Sequence, residues 1–194
     1  KAEKNKTYTS EQEKEIFEYL EKNDPLLLLY IKFISFNFLR PVEVNRLLVK
    51  SINLKEKKLS VKTKTNKLKT KIIPDILLQE LPDLSQLNQD NYLFTPNGLG
   101  LEWVAEENNR RDSFSKRFKT VIKDHFNLGS EYGLYSFRHT FITKLYRNLR
   151  ENKSPHETKG ILMNITGHVT MDALEKYLRD IDAELPEDYS NLFR

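Results

Sequence analysis

The sequence predicts an α+β domain, mainly helical, with one small three-stranded antiparallel sheet. Two observations carry this expectation. Apolar residues recur at helical spacing through most of the chain, interrupted by caps and prolines that mark separate helices. One stretch alone alternates with a period of two: Leu59, Val61 and Thr63 against Lys58, Ser60, Lys62 and Lys64. It is preceded by the short candidate strand Ile52-Asn53-Leu54. Thr65-Asn66-Lys67 supplies a turn, and residues 69–73 return, ending at Pro74. On this reading the lysines lie on the polar face of the sheet.

The elements follow in order. Residues 1–9 are polar and uneven and read as a linker or tail. Ser10 with Glu13 resembles a capping box ahead of a helix through Ile16, Phe17 and Leu20. Asp24-Pro25 starts the next helix, apolar nearly all round and therefore central to the core. Arg40-Pro41 ends it and opens a third helix, 42–48. Arg40 thus sits at a junction, with Glu43 a turn later. The pair is either a surface ion pair of little worth or an arginine held at a corner and aimed at a phosphate. Residues 75–80 should be helical and 81–91 short helix and loop. Tyr92-Leu93-Phe94 is a brief extended piece, and 95–101 a loop. Asp112 or Ser113 could cap a helix through Phe114, Phe118, Val121 and Ile122. Ser136 is the expected cap of a helix that buries Phe137, Phe141, Leu145 and Leu149. That places Arg138 and His139 in its first turn, where the macrodipole favours anions; a phosphate bound there would resolve the conflict. Ser154-Pro155 begins another helix. Thr170 caps the last, with Ala173, Leu174, Leu178 and Ile181 at helical spacing and Tyr177 on the same side.

Composition narrows the function classes. With 194 residues and 38% hydrophobic content, the chain can build one domain with its own core. It has no cysteine, which excludes disulfides and thiolate metal sites. No apolar run approaches the ~20 residues that span a bilayer. The greasiest stretch, 26–39, is interrupted by Lys32 and Asn37 and reads as a buried helix. No signal peptide is evident, so a cytoplasmic protein is expected. The chain begins at Lys1, which suggests a fragment of a longer protein. The net charge of +4 and the pI of about 9.0 are modestly basic. Residues 55–71, however, carry eight lysines against Glu56, and 110–123 hold six basic residues. Localised positive charge suggests a face for a polyanion; a solvated lysine-rich hairpin is the plainer alternative.

The stretch that organises the chain is Ile165-Thr166-Gly167-His168-Val169-Thr170, leading into the helix that bears Tyr177. Taken with Leu39-Arg40-Pro41-Val42-Glu43, the lysine hairpin ending Ile72-Ile73-Pro74, Tyr135-Ser136-Phe137-Arg138-His139-Thr140-Phe141, and Ala173-Leu174-Glu175-Lys176-Tyr177-Leu178, it resembles the catalytic domain of the tyrosine recombinases, or phage-type integrases. The resemblance runs from about Arg40 to Leu178, in the family's order. It implies site-specific cleavage and rejoining of DNA through a 3′-phosphotyrosyl intermediate, with no metal, no other cofactor and no external energy source.

Carried over residue by residue, the resemblance implies Arg40 and Arg138 as a phosphate clamp and Tyr177 as nucleophile. Lys64 would donate the proton to the leaving 5′-oxygen, and His168 would hydrogen-bond the phosphate or assist proton movement. The physical chemistry suits these roles. Guanidinium groups stay charged and grip phosphate oxygens bidentately. A covalent nucleophile conserves the bond for religation. The family often has a histidine three positions before the second arginine; here that position is Tyr135, which can donate a hydrogen bond but is a poorer proton carrier near neutral pH. The hairpin tip is about two residues longer than the common pattern, so Lys62 and Lys67 remain alternatives to Lys64. His139 is expected to be structural, and Glu43 to support Arg40. Lys62, Lys67, Lys69, Arg110, Arg111, Lys116 and Arg117 are the expected DNA contacts. The expected partner is double-stranded DNA at a specific site, with the chain a monomer in solution and a tetramer on DNA. Residues 1–9 would be a linker from a core-binding domain, 10–182 the catalytic domain, and 183–194 a tail that docks on a neighbouring protomer. Two other readings stand beside this one: a type IB topoisomerase-like relaxase, and a catalytically inactive DNA-binding relative.

Overall fold

The structure, a computed structural model, describes residues 5–63 and 65–194. By internal packing the chain divides into two units, Lys1–Phe141 and Ile142–Arg194, and each is taken by itself.

In the first unit, α1 (Ser10–Asn23) is capped by Thr9, not Ser10. The Thr9 hydroxyl accepts from the Gln12 N–H at 3.1 Å, and the Gln12 side chain returns to the Thr9 N–H at 2.9 Å. α2 (Pro25–Phe36) starts at Asp24, whose carboxylate accepts from the Leu27 N–H at 3.0 Å. It buries Leu27, Leu28, Tyr30, Ile31, Phe33 and Ile34, as its all-round apolar sequence requires. α3 (Pro41–Arg46) follows.

Strands β1 (Ile52–Asn53), β2 (Lys58–Lys62) and β3 (Leu68–Ile72) form the expected antiparallel sheet in that order, with Leu59 opposite Lys71 and Val61 opposite Lys69. β2 behaves as its alternation predicts: Leu59 and Val61 are buried, Lys58 and Lys62 exposed. β3 does not. Its lysines do not share the polar face: Lys71 is buried and Lys69 half-buried, while Leu68 and Ile72 are each 71% exposed. The sheet turns two lysines toward the body of the unit.

α4 (Asp75–Leu78) and a tight hairpin, β4 (Phe94–Thr95) and β5 (Gly98–Leu99), follow; the hairpin replaces the expected loop. α5 (Glu107–Phe118) begins earlier than Asp112 and runs on into a π-helical turn, Lys119–Lys123. Tyr30 stacks on Phe114 with centroids 4.4 Å apart and meets the edge of Phe94 at 5.3 Å, joining α2, α5 and the β4–β5 hairpin. Such ring pairs contribute about 0.5–1.5 kcal/mol each beyond burial.

α6 (Leu134–Arg150) spans the division between the units. Ser136 is its third residue and not its cap; the Ser136 hydroxyl accepts from the Gly133 N–H at 3.0 Å. Arg138 therefore lies in the second turn, and the argument for a phosphate at this helix's N-terminus lapses. The segment expected to be a linker is also partly built in. Lys6 N–H donates to the Glu131 carbonyl at 2.7 Å, and buried Tyr8 lies 4.6 Å from Phe137 and 5.1 Å from Tyr132, centroid to centroid.

In the second unit, α7 (Pro155–Thr166) has the capping box of Ser154 and Glu157, and α8 (Met171–Asp180) is capped by Thr170, as the sequence predicts. Gly167 closes α7 at φ +76°, a left-handed position that most side chains disfavour. Leu162, Leu174, Leu178, Ile142 and Tyr146 are buried. Lys159 pairs with Glu184 at 2.7 Å and Glu175 at 3.6 Å. Beyond α8 the tail exposes Leu185, Tyr189, Leu192 and Phe193, the last two in a single 3₁₀ turn, Ser190–Phe193.

Candidate active site

The corner between α2 and α3 is where the first unit's site begins. Helix α2 ends at Asn37, and Phe38 then takes φ +54°, a strained backbone position for a bulky residue. The turn presents two successive carbonyls to two buried cations. Asn37 C=O accepts from Lys71 Nζ at 2.6 Å, and Phe38 C=O accepts from Arg138 Nε at 2.9 Å. The Asn37 amide donates to the Ile72 carbonyl at 3.0 Å, which fixes β3 against the same corner.

Arg40 caps α3 ahead of Pro41. Glu43, 1% exposed, accepts from the Arg40 N–H at 2.9 Å with one oxygen and pairs with Arg40 Nη1 at 3.3 Å with the other. The Arg40 side chain keeps 36% of its surface in solvent, so Glu43 holds it from behind and leaves a face open. The pair is not a surface ion pair, because its carboxylate is buried. Arg138 is 2% exposed. Lys69 and Lys71 share this electrostatic neighbourhood. Burial lowers the Lys69 pKa, Glu43 opposes the shift, and Arg40 and Arg138 add to it. Burial also lowers Lys71, to about 7, with Lys69, Arg138 and Arg40 pushing the same way against Glu43. Lys69 and Lys71 thus each feel the Glu43 carboxylate and the Arg40 and Arg138 guanidinium groups. Burial, aided by the Arg138 charge, lowers His139 to about 4, so it is neutral near pH 7, in keeping with a structural role. Tyr135 lies one turn before it on α6, with ring centroids 6.2 Å apart.

In the second unit, His168 and Tyr177 come together, with ring centroids 4.9 Å apart and planes at 44°. Tyr177 is half-buried and does not belong to the core. The Thr166 hydroxyl donates to the Leu162 carbonyl at 2.9 Å and lies 2.6 Å from His168 Nδ1. Its one proton is engaged, so it accepts from Nδ1–H. That contact fixes the Nδ1 edge of the ring on Thr166.

The remaining candidates divide by environment. Lys64 lies outside the described residues. Lys62 and Lys67 are exposed beside the hairpin turn, and Lys116 is exposed on α5. Arg111 is exposed and pairs with Asp112 at 3.4 Å. Arg110 packs over the Tyr92 ring at 4.1 Å and donates to the Ala105 carbonyl. Arg117 requires a correction. Its guanidinium holds Asp24 through two bonds of 2.6 and 2.8 Å and donates to the Pro96 carbonyl at 2.7 Å, which makes it a strut between α5 and the start of α2. Lys69 is half-buried on the inward face of β3. A groove of about 510 Å³ runs beside the site, lined in part by Pro41, Arg111, Lys119, Lys123 and Tyr135. Sequence reasoning missed Lys71, and also Arg46, which pairs with Glu107 at 2.6 Å and donates to the Thr63 carbonyl next to Lys64. The signal for Lys71 was strand parity: Ile73 points inward, so Lys71 and Lys69 must follow.

Among the described residues no group of three or more His, Asp or Glu is placed to hold a metal ion, and no helix is long and apolar enough to cross a membrane.

The phage integrase family model matches residues 6–183, and the chain belongs to that family. No curated protein matches the sequence significantly. Among solved structures, the chain is similar to the XerA recombinase, with 16% identity and a TM-score of 0.65 over 96% of this chain and 62% of that one. It is similar to the XerH site-specific recombinase bound to a palindromic difH substrate in a post-cleavage complex, with 17% identity and a TM-score of 0.64 over 98% of this chain and 54% of that one. The catalytic domain of bacteriophage HP1 integrase matches with 15% identity and a TM-score of 0.57, over 93% of this chain and 90% of that domain. The chain therefore spans about half to two-thirds of the two recombinases and nearly all of the isolated catalytic domain, and at these identities the likeness is one of fold.

Proposed function

We propose that this chain is the catalytic domain of a site-specific DNA recombinase that cleaves and rejoins strands through a phosphotyrosyl intermediate at Tyr177. Arg40 and Arg138 hold the non-bridging oxygens of the scissile phosphate, where negative charge grows during attack. Tyr177 Oη attacks phosphorus, the P–O5′ bond breaks, and the 3′ side of the strand becomes linked to the tyrosine. His168 Nε2 accepts a hydrogen bond or the phenol proton. A hairpin lysine, Lys64 with Lys62 and Lys67 as alternatives, gives the leaving 5′-oxygen its proton. Tyr135 donates a hydrogen bond to the phosphate. Attack by a 5′-hydroxyl reverses the sequence and releases Tyr177. Every bond broken is matched by one formed, so the reaction needs no energy source.

The observation that carries this reading is the Arg40–Glu43–Arg138 arrangement: one half-open guanidinium braced by a buried carboxylate, and a second guanidinium buried behind the same corner. Lys62, Lys67, Lys116 and Arg111 would follow the backbone of a duplex, and the exposed tail would dock on a neighbouring protomer in a DNA-bound tetramer. The fold likeness to XerH, a structure solved with its difH substrate, supports DNA as partner. The test is strand cleavage on a nicked duplex carrying a recombination site selected from a random pool by binding. Wild type should release the 5′-hydroxyl fragment, and Tyr177→Phe should bind the duplex without releasing it. Release by Tyr177→Phe at the wild-type rate would refute the assignment.

A further inference from the structure

The first unit contains more positive charge than a phosphate clamp of two arginines needs. Among the described residues Lys71 is the most enclosed lysine of the hairpin, 9% exposed, on the strand face that its sequence parity turns inward. Its amine donates to Asn37 C=O from across the sheet, directly beside the carbonyl that receives Arg138. The charged groups facing it are Lys69 on its own strand, Arg40 and Glu43 on α3, and Arg138 on α6. Lys58 and Lys62 on the adjacent strand are exposed on the opposite face.

Fully protonated, the cluster holds four positive charges and one negative charge in a partly desolvated corner. Arginine does not release a proton at any relevant pH, so relief falls to a lysine. Lys71 is more buried than Lys69 and is the cheaper to neutralise. A neutral amine still donates to Asn37 C=O, so the corner keeps its geometry. A phosphodiester entering the clamp adds one negative charge and restores the balance in favour of the ammonium form.

We propose that Lys71 is a positioning residue that couples phosphate binding in the Arg40–Arg138 clamp to the uptake of one proton. The inference rests on the DNA reading above. It makes the free site pre-poised without carrying its full repulsion, and it completes the positive field only when DNA is present. The proton comes from solvent and returns to solvent on release. Burial lowers Lys71 to about 7 in the free protein, which sets the pH window in which the exchange is visible.

The experiment is calorimetric titration of the chain with a short mixed-sequence duplex at low salt, in buffers of differing ionisation heat, at about pH 8. Wild type should take up close to one proton per clamp filled, and its affinity should weaken by up to about tenfold per pH unit above neutrality. Lys71→Arg keeps the charge but cannot titrate, so it should bind with no buffer dependence and a flat pH profile. Lys71→Met should also lose the uptake, whereas Lys69→Met should retain it. Binding by wild type without proton uptake overturns the inference and leaves the DNA reading standing. Uptake that survives Lys71→Arg and disappears in Lys69→Met assigns the proton to the other lysine and also overturns it. Absence of any binding sinks the DNA reading and the inference with it. If Lys71→Met does not fold, the wild-type and Lys71→Arg profiles decide.

Discussion

Arg138 Nε donates to the Phe38 carbonyl at 2.9 Å, joining residues 100 positions apart. The bond explains why a bulky residue sits at φ +54° between two helices: in that conformation Phe38 C=O faces the guanidinium. Arg138 is therefore a structural tie and, under the proposed function, a phosphate ligand as well. Arg138→Ala should lower strand cleavage by about 10²–10³-fold. It should also destabilise the fold by about 2–3 kcal/mol, because a buried carbonyl loses a charged donor. Single-turnover cleavage and denaturant melts check the two effects separately. Unchanged stability would mean that the corner does not depend on the bond.

Thr166→Val removes the acceptor that holds His168 Nδ1–H and leaves the helix intact. For metal-ligating histidines, loss of the partner that orients the ring typically costs 10–100-fold, and the lower end of that range is the scale taken for His168. We expect a loss of about tenfold in cleavage with DNA affinity unchanged. An equal fall in affinity and rate would place His168 in binding alone.

Stability should depend on pH in two windows. The folded-state pKa of Lys71 lies near 7, below its ordinary value of 10.5, so the unfolded chain binds more protons between these limits. Its contribution to stability is therefore complete above the unfolded value and declines as pH falls toward 7. Wild type should gain on Lys71→Met as pH rises through this range. His139, lowered from 6.5 to about 4, acts likewise at acid pH: stability declines as pH falls from the unfolded value through the folded one. His139→Gln should flatten that acid limb in chemical denaturation series.

Much of this was legible in the sequence, and the failures have physical causes. The helices that start at Asp24-Pro25, Ser154-Pro155 and Thr170, and β2 with its strict alternation, were read correctly because local chemistry determines them. β3 was placed the wrong way round because Ile72 and Ile73 are adjacent and either one satisfies an apolar face. Burial of Ile73 and the ties from Lys71 and the Asn37 amide to the corner settle the choice. Arg117 looked like a DNA contact because charge alone does not reveal a partner 93 positions away. Ser136 has the chemistry of a cap but sits at the third helical position, where its hydroxyl serves the same end by reaching back. Tyr8 was hidden in a polar segment, since one aromatic among nine residues gives no period. The grouping of Arg40, Glu43 and Arg138 depends on contacts between distant helices, and only motif resemblance anticipated it.

Salt should discriminate the basic residues. DNA affinity should fall linearly on a logarithmic salt scale, and each exposed lysine removed from the backbone contact should reduce the slope by about 0.9. Lys62→Ala and Lys67→Ala should show this in fluorescence anisotropy. Arg117→Ala should leave the slope unchanged and instead destabilise the protein by about 2–4 kcal/mol, because Asp24 is 7% exposed and loses its partner.

Deletion of residues 185–194 removes four exposed apolar side chains and should leave the melting temperature of the free chain nearly unchanged. Under the docking proposal it should abolish the higher assembly on DNA, read by analytical ultracentrifugation. A large fall in melting temperature would show that the tail supports its own chain.

The most direct measurement is to identify the amino acid that carries the DNA. A nicked duplex with its selected site is incubated with the protein, the trapped adduct is digested with nuclease and protease, and the peptide is sequenced by mass spectrometry. The account predicts a nucleotide 3′-phosphate esterified to Tyr177 Oη, absent from Tyr177→Phe. A nucleotide on another residue, or a 5′-phosphate linkage at Tyr177, would contradict it.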